Sequence, residues 1–285
     1  MQVVNRKSVV FFLVLAGVTG AGAGIATEPS TSAGWVFGVA MFILVAGWGA
    51  RRPLRRLLTV RKPLSPAVVG WLRADFPFYR YVERERFERD MKIILSEWTF
   101  EGVSGVEVTD ELRAAVAAGA ALLLHGRPDR EWPSRCTILL YPDRFDDEYA
   151  AGEDGEFEGM AHSQGPVILS VESVRQGWKN PGDGHNVVLH EMAHLLDYEN
   201  NFANGAPSLI ASASAAAWRE LVRKEIRRVR IGRSMLRRYA AQNPAELFAV
   251  AVENFFERPD LMARRHPELF AALRNIFRID PLTWD

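Results

Sequence analysis

Two uncharged apolar runs, separated by a short polar segment, dominate the first 50 residues. The runs cover residues 8–26 and 33–50, and the polar segment TEPSTS covers residues 27–32. At about 1.5 Å of rise per residue, each run forms a helix of about 27–29 Å, close to the ~30 Å thickness of bilayer hydrocarbon. The pattern therefore predicts a membrane hairpin of two transmembrane helices in residues 1–50.

Basic residues flank this hairpin at its two ends. Arg6 and Lys7 precede the first run, and RRPLRR follows the second, whereas the connector contains neither lysine nor arginine. The positive-inside rule predicts a multi-pass protein of the inner (cytoplasmic) membrane, with everything after residue 50 in the cytoplasm. A cleaved signal peptide is the alternative for the first run, but a second run with a basic stop disfavours secretion of the remainder.

Mixed polarity begins after a basic juxtamembrane linker, residues 51–65, and continues through a domain over residues 66–285. Apolar periodicity predicts helices at 67–74, 82–98, 110–124, 186–198, 213–230, 232–239, 244–256 and 266–277. Short β-rich runs predict strands at 137–141 and 167–171, separated by an acidic stretch, residues 143–159, that is expected to be a surface loop. The expected fold class is α+β: a mostly helical domain with a small sheet, preceded by two transmembrane helices.

The charge balance separates the same two regions. The chain of 285 residues carries 35 basic and 35 acidic side chains, but residues 1–64 hold eight of the basic ones and one acidic one, leaving a net charge of −7 for the remainder. The basic cluster beside an apolar run is better explained by topology and contact with lipid headgroups than by nucleic-acid binding, so no nucleic-acid partner is expected. The single cysteine, Cys136, excludes an intrachain disulfide.

One segment, GHNVVLHEMAHLLDYEN, carries an H-E-x-x-H motif at His190, Glu191 and His194. A spacing of four places both imidazoles on one face of a helix, one turn apart, where they can bind one Zn²⁺ ion. Glu191 then lies beside the ion, in a position to act as the catalytic base toward a bound water. As ordinary polar residues on an amphipathic helix, the three would need other buried partners.

Catalytic zinc normally has three protein ligands, so a third is expected further along the chain. The downstream candidates are Glu199, Glu220, Glu246, Glu253 and His266. Glu246 is preferred, because it falls in the first turn of an apolar helix that Asn243 caps and Pro244 begins, where a carboxylate needs a compensating cation. Glu253, two turns further on the same face, is the alternative ligand or a hydrogen-bond partner of a ligand.

The other polar residues near the motif have open roles. Asp197 shares the face of the two histidines and can accept the outer N–H of a ligand or cap the next turn. The remaining histidines fall at predicted element ends or in loops, where capping or exposed positions are expected: His125, His162, His185 and His266.

Several stretches follow one another in an order typical of one family: PFYRYVERERFERDMKIILSEWTFEG, YPDRF, QGPVILS, HEMAHLLDYENNFANGAPSL and YAAQNPAELFAVAVENFFERPDLMARRHPELFAALRNIFRIDP. Over residues 66–282 the chain resembles the Mlc titration factor A (MtfA) or glucose-regulated zinc metallopeptidase family. The resemblance implies a zincin-like domain in which His190, His194 and Glu246 bind Zn²⁺ and Glu191 is the catalytic base. It also implies that Tyr239 stabilises the oxyanion, as in the similarly built catalytic domain of anthrax lethal factor; a core tyrosine at a helix end is the alternative.

The expected function is zinc-dependent hydrolysis of peptide or protein substrates on the cytoplasmic face of the membrane. Residues 164–170 (QGPVILS) are expected to form an edge strand, either for extended substrate or purely structural. The alternative function is a membrane-tethered regulator that binds a transcriptional repressor, such as Mlc in the family, or another protein partner, with incidental peptidase activity. The family's soluble member lacks the hairpin, which weakens the transfer of this partner; substrate, oligomeric state and aminopeptidase or endopeptidase action stay open.

Overall fold

The computed structural model describes residues 1–3, 6–26, 32–146, 149, 151–152, 155–163, 165–198, 205–210 and 212–284. The chain divides into two compact units, Met1–Pro63 and Leu64–Asp285. Residues 27–31 of the predicted connector, Glu199, and parts of the acidic stretch lie outside the described residues.

The first unit contains two helices, α1 (Arg6–Ala26) and α2 (Ser32–Arg61), that pack against each other at small residues. A Cβ atom added to Gly20 would lie 2.8 Å from the carbonyl oxygen of Gly38, and one added to Gly49 would overlap Phe12. Glycine at these positions therefore allows close helix–helix contact. Large apolar side chains on the outside are exposed, among them Phe11, Val14, Val36, Ile43 and Leu44.

Within the described residues, one helix is long and apolar enough to cross a membrane. It covers residues 35–61, whereas α1 contributes a shorter apolar stretch over residues 9–22. Helix α2 runs without interruption through Pro53 to Arg61. Most of the segment expected as a linker is therefore helical, because arginine and leucine favour the helix and Pro53 removes a single backbone donor.

The second unit is mostly helical, as predicted. Its described α-helices are α3 (Pro66–Ala74), α4 (Arg84–Glu97), α5 (Asp110–Leu123), α6 (Val171–Lys179), α7 (Val187–Tyr198), α8 (Ala215–Arg230), α9 (Pro244–Glu257), α10 (Pro259–Arg265) and α11 (Pro267–Phe277). Short 3₁₀ turns occur at Pro77–Arg80, Ser212–Ser214, Arg238–Ala241 and Pro281–Thr283. Periodicity missed α6 and α10, which are nine and seven residues long.

The described strands form one sheet that completes the expected α+β fold. They are β1 (Thr99–Gly102), β2 (Thr137–Tyr141), β3 (Gly159–Ala161) and β4 (Val167–Ser170), in the order β1-β2-β4-β3. β1, β2 and β4 are parallel, and β3 pairs antiparallel with β4. The expectation of an edge strand at residues 164–170 is wrong, because β4 is hydrogen-bonded to a strand on each side. The edge strand is its neighbour β3. This strand is too short to show an alternation of apolar and polar residues in the sequence.

One predicted helix, residues 232–239, is absent from the described structure. Helix α8 ends in a Schellman motif, in which the N–H of Gly232 donates to Val229 and the N–H of Arg233 donates to Arg228. Gly232 has φ +70°, a conformation that glycine adopts without strain. The chain then continues without regular structure to the 3₁₀ turn, and this irregular segment reaches the candidate site.

Helix α7 lies at the centre of the second unit, against α5, α9 and β3. Its apolar side chains Val188, Leu189, Met192, Ala193 and Leu196 have no exposed surface. Gly119 of α5 allows the close approach, because a Cβ atom there would meet Val188 and Trp178. The two ends of the acidic stretch are bonded to each other, because Phe145 and Phe157 exchange backbone hydrogen bonds of 3.0 Å.

Candidate metal centre

The two motif histidines lie one turn apart on α7 and are almost completely buried. Asn186 caps this helix, since its side-chain oxygen accepts the N–H of Leu189 at 3.2 Å. Nε2 of His190 lies 3.1 Å from Nε2 of His194. The spacing of the motif therefore turns both Nε2 atoms toward the same point.

Glu246 approaches these two nitrogens from the first turn of α9. Its N–H donates to the side chain of Asn243 at 2.9 Å, and Pro244 is the first helical residue, as predicted. Oε2 of Glu246 lies 3.1 Å from Nε2 of His190 and 3.4 Å from Nε2 of His194. The structure thus brings together the three residues that the sequence selected.

This donor set fits a metal ion of the zinc type. The ligand atoms of His190, His194 and Glu246 all lie within 4.8 Å of one another. Two atoms that each coordinate a tetrahedral zinc at 2.0–2.1 Å lie roughly 3.3 Å apart, which agrees with the distances between these side chains. Two imidazoles and one carboxylate are also a common ligand set of catalytic zinc.

Glu253 orients His190 from the side opposite to Glu246. Nδ1–H of His190 donates to Oε1 of Glu253 at 2.6 Å, which leaves the Nε2 lone pair directed toward the other ligand candidates. Glu253 has no exposed surface, and Arg237 donates to both of its oxygens at 2.8 Å. Burial would raise the pKa of Glu253, but its interactions with His190 and Arg237 lower it to about 2.

Asp197 and Glu220, in contrast, have their partners elsewhere. Asp197 accepts the N–H of Gly205 at 2.7 Å and so anchors the chain after α7. Glu220 is exposed on α8 and pairs with Arg223 at 2.6 Å. Neither carboxylate lies in the group of candidate ligands.

Glu191 is the other buried carboxylate beside this group. It is 4% exposed, and burial raises its pKa. Among the described residues, its Oε2 atom has no hydrogen-bond partner. A Cβ atom added to Gly159 of β3 would lie 2.7 Å from Oε1 of Glu191, so glycine at this position makes room for the carboxylate. A buried carboxylate with an open lone pair is suited to accept a proton.

Tyr239 reaches the same region from the 3₁₀ turn at Arg238–Ala241. Its ring centroid lies 5.9 Å from that of His190, and the guanidinium carbon of Arg237 lies 5.7 Å from the tyrosine centroid. Burial and the charges of Glu246 and Glu191 raise the pKa of Tyr239 to about 12. The phenol is therefore a neutral hydrogen-bond donor at physiological pH.

Comparison with known proteins agrees with this arrangement. The model of the family described as glucose-regulated metallo-peptidase M90 matches residues 50–278. The chain belongs to this family. The chain is therefore a metallopeptidase-family protein. The matched span contains every residue of the candidate centre.

Three relatives illustrate the extent of the similarity. A Mlc titration factor A of Serratia proteamaculans is 34% identical over 214 residues, which cover 66% of this chain and 77% of the relative. A Mlc titration factor A of Yersinia pestis is 27% identical over 249 residues, covering 80% and 91%. An uncharacterized protein of Synechocystis sp. is 29% identical over 239 residues, covering 78% and 87%.

The loop before α7 is held to the end of α9 in this M90 chain. Glu257 accepts the N–H groups of Gly184 and His185 at 2.9 and 3.1 Å, and burial raises its pKa to about 8. Nε2 of His185 lies 2.7 Å from Glu158, which also binds Arg144. These contacts connect the loop before α7 with the chain that enters β3.

The four excluded histidines do not join the candidate centre, but one differs from expectation. His266 is completely buried between α10 and α11, where Nδ1 lies 2.6 Å from Oε2 of Glu225. His125, His162 and His185 have intermediate or higher exposure, as expected of element ends and loops. Sequence reasoning also missed Arg237, because it lies in a segment that was predicted to be helical.

Proposed function

We propose that the second unit is a zinc-dependent peptidase that uses a bound water to cleave peptide bonds. The observation that carries this proposal is the convergence of His190, His194 and Glu246 beside the buried, partly unpartnered carboxylate of Glu191. Membership in a metallopeptidase family supports the reaction class. In this proposal His190, His194 and Glu246 hold Zn²⁺.

Glu191 acts as the catalytic base and afterwards as the acid. Zinc, when bound, lowers the pKa of a water molecule toward ~7 and polarises the substrate carbonyl. Glu191 accepts a proton from the attacking water and delivers it to the nitrogen of the leaving amine. Its burial supports this role, because a raised pKa brings a carboxylate closer to the pH at which it must exchange protons.

Tyr239 and the pair of Glu253 with Arg237 complete the proposed machinery. The phenol of Tyr239 donates a hydrogen bond to the substrate oxygen as negative charge develops there. Glu253 keeps the proton of His190 on Nδ1, so that Nε2 remains a ligand atom, and Arg237 neutralises Glu253. Arg237 is thus a positioning residue.

The edge strand β3 is the proposed docking site for extended substrate. It is an edge strand that packs against α7, and Gly159 at its start is next to Glu191. An extended peptide added to this edge would pass the catalytic carboxylate. This role replaces the one expected for residues 164–170.

The proposed location is the cytoplasmic membrane, with the peptidase unit on the cytoplasmic side. The long apolar helix at residues 35–61 and the arginines that follow its apolar part support this orientation. A C-terminal epitope tag in intact cells should resist external protease until the membrane is opened. Cleavage of the tag in intact cells would contradict the orientation.

A regulator that captures a protein partner is the second candidate function. It is favoured by the names of the relatives, which refer to titration of the Mlc regulator. If capture is the function, Glu191→Gln retains the cellular effect and partner binding. If hydrolysis is the function, the same substitution abolishes the cellular effect while partner binding persists.

Glu191→Gln is also the direct test of the peptidase proposal. The full-length protein, loaded with zinc, is assayed on a mixed peptide library, and its zinc content is measured in parallel. We expect kcat/KM to fall by about 10²–10⁴-fold with zinc retained, because the base is lost but the ligands remain. Glu220→Gln makes the same chemical change on the exposed face of α8 and should be without effect. Undiminished cleavage by Glu191→Gln contradicts the mechanism.

A further inference from the structure

A cavity of the second unit lies between α8, α11 and the segment at residues 205–210. Its volume is about 450 Å³, within the range of small-molecule sites. Its walls include the apolar side chains Leu209, Trp218, Leu221 and Ile276. None of the described residues that line it belongs to the candidate metal centre.

Three arginines surround one side of this cavity and share one carboxylate. Asp129 lies 3.2 Å from Nη2 of Arg127, 3.3 Å from Nη1 of Arg278 and 3.9 Å from Nε of Arg130. No acidic side chain is among the described lining residues. The local charge is therefore an excess of two positive charges, which favours an anionic ligand.

Arg127 and Arg278 differ in the hydrogen-bond donors that they still offer to a ligand. Arg127 is buried, and its guanidinium group donates hydrogen bonds to Asp129 and to the carbonyl oxygens of Leu209 and Ile276. Arg278 has 58% side-chain exposure and, within the described chain, a single hydrogen bond, from Nη1 to Asp129. Its Nε and Nη2 groups form the edge that binds a carboxylate through two parallel hydrogen bonds.

The wall at residues 205–210 is connected to the start of α9. The indole N–H of Trp218 donates to the carbonyl oxygen of Gly205, whose N–H is bound by Asp197. Gly205 has φ +68° and lies so close to Pro244 that a Cβ atom would overlap the proline backbone. A ligand that contacts Trp218 and Leu209 therefore stabilises a segment against which α9 begins.

We propose that this cavity binds a small organic carboxylate with an apolar body. The carboxylate binds the Nε–Nη2 edge of Arg278, and the apolar body contacts Trp218 and Leu209. Binding stabilises residues 205–210. The proposal is independent of the proposed peptidase function, because neither its evidence nor its test involves hydrolysis.

The test compares 4-phenylbutyrate with its neutral amide, 4-phenylbutyramide. Binding to the full-length protein in lipid nanodiscs is measured by ligand-observed NMR, with empty nanodiscs as the blank. We expect a dissociation constant of about 1 mM or lower for the acid, given its size, and about tenfold weaker binding of the amide. Hydrogen exchange of residues 205–210 should slow in the presence of the acid.

Variants locate the site. Arg278→Gln should weaken binding of the acid about tenfold, whereas Arg219→Gln, the same change at an exposed position of α8 outside the lining, should not. Ala217→Phe fills the cavity from an exposed position of α8 and should abolish binding.

Three results would overturn the proposal. Equal binding of acid and amide would contradict the role of charge. Unchanged binding by both Arg278→Gln and Ala217→Phe would put the ligand elsewhere. Unchanged exchange at residues 205–210, with the acid bound, would remove this segment from the site.

Discussion

The second unit contains two buried clusters with the same chemical composition and different surroundings. In one, Nδ1 of His190 lies 2.6 Å from Oε1 of Glu253; in the other, Nδ1 of His266 lies 2.6 Å from Oε2 of Glu225. An arginine pairs with each glutamate, at 2.8 and 2.9 Å respectively. The carboxylate behind the histidine is thus equivalent in both.

The clusters differ at the other ring nitrogen. Nε2 of His190 faces His194 and Glu246, each at 3.1 Å. Nε2 of His266 accepts the backbone N–H of Met235 at 3.3 Å. A buried histidine–glutamate pair is therefore insufficient to identify a metal site, because the direction of the free nitrogen distinguishes a ligand from a structural histidine.

Replacing each histidine by alanine should give the largest contrast. We expect His190→Ala to lose tightly bound zinc and at least about 10³-fold in kcat/KM, since two ligands do not make a stable catalytic site. His266→Ala should keep one zinc per chain but lose about 3–5 kcal/mol of unfolding free energy, because Glu225 and Arg228 lose a buried partner. Zinc analysis and thermal unfolding of both variants measure the contrast. Loss of zinc from His266→Ala would contradict the distinction between a metal-binding cluster and a structural cluster.

Neutralising the two glutamates should give a smaller contrast. We expect Glu253→Gln to weaken zinc binding about 10–100-fold, because the hydrogen-bond acceptor that orients His190 is weakened. Glu225→Gln should leave zinc affinity unchanged. Competition with a chromophoric chelator measures both affinities. Equal losses would mean that both clusters support the metal.

Local signals in the sequence select the three candidate ligands, although they do not predict the whole His190 cluster. The spacing of His190 and His194 on an apolar helix pairs the two imidazoles, and the cap at Asn243 with proline at residue 244 places Glu246 in the first turn of its helix. Apolar periodicity predicts α7 and α9 and a β-rich run predicts β2, so the fold class agrees with expectation, and the three predicted ligands lie within 4.8 Å of one another.

The rest depended on contacts between residues distant in the sequence. Arg237 meets Glu253 only because the Schellman motif at Gly232 ends α8 and turns the chain, and this irregular segment was predicted as a helix. The burial of His266 depends on Glu225, 41 residues earlier. Strand β3 carries no periodic pattern, and its identity as the edge follows from pairing with β4.

The pH dependence of stability tests the ion pair of the His266 cluster by itself. Burial raises the pKa of Glu225, but His266 and Arg228 lower it more, so the folded-state pKa lies below the unfolded one. This carboxylate therefore contributes stability above its unfolded pKa of about 4.3, and the contribution is lost as pH falls through the folded pKa. We expect stability to fall less steeply between pH 5 and pH 3 in Glu225→Gln than in wild type, as measured by urea unfolding. Parallel curves would show that another group causes the acid sensitivity.

Ser234→Ala should give the smallest effect, and it tests the chain that connects the two clusters. The hydroxyl of Ser234 accepts the N–H of Leu236 at 3.1 Å and lies 3.2 Å from Nε2 of His266. We expect its loss to cost about 1 kcal/mol, which lowers the melting temperature by about 2–4 °C. Arg237 is three residues further on and stays held by Glu253, so kcat/KM should change by less than about threefold. A larger loss of kcat/KM at unchanged zinc content would show that the His266 cluster positions the site, so the two clusters would act as one unit.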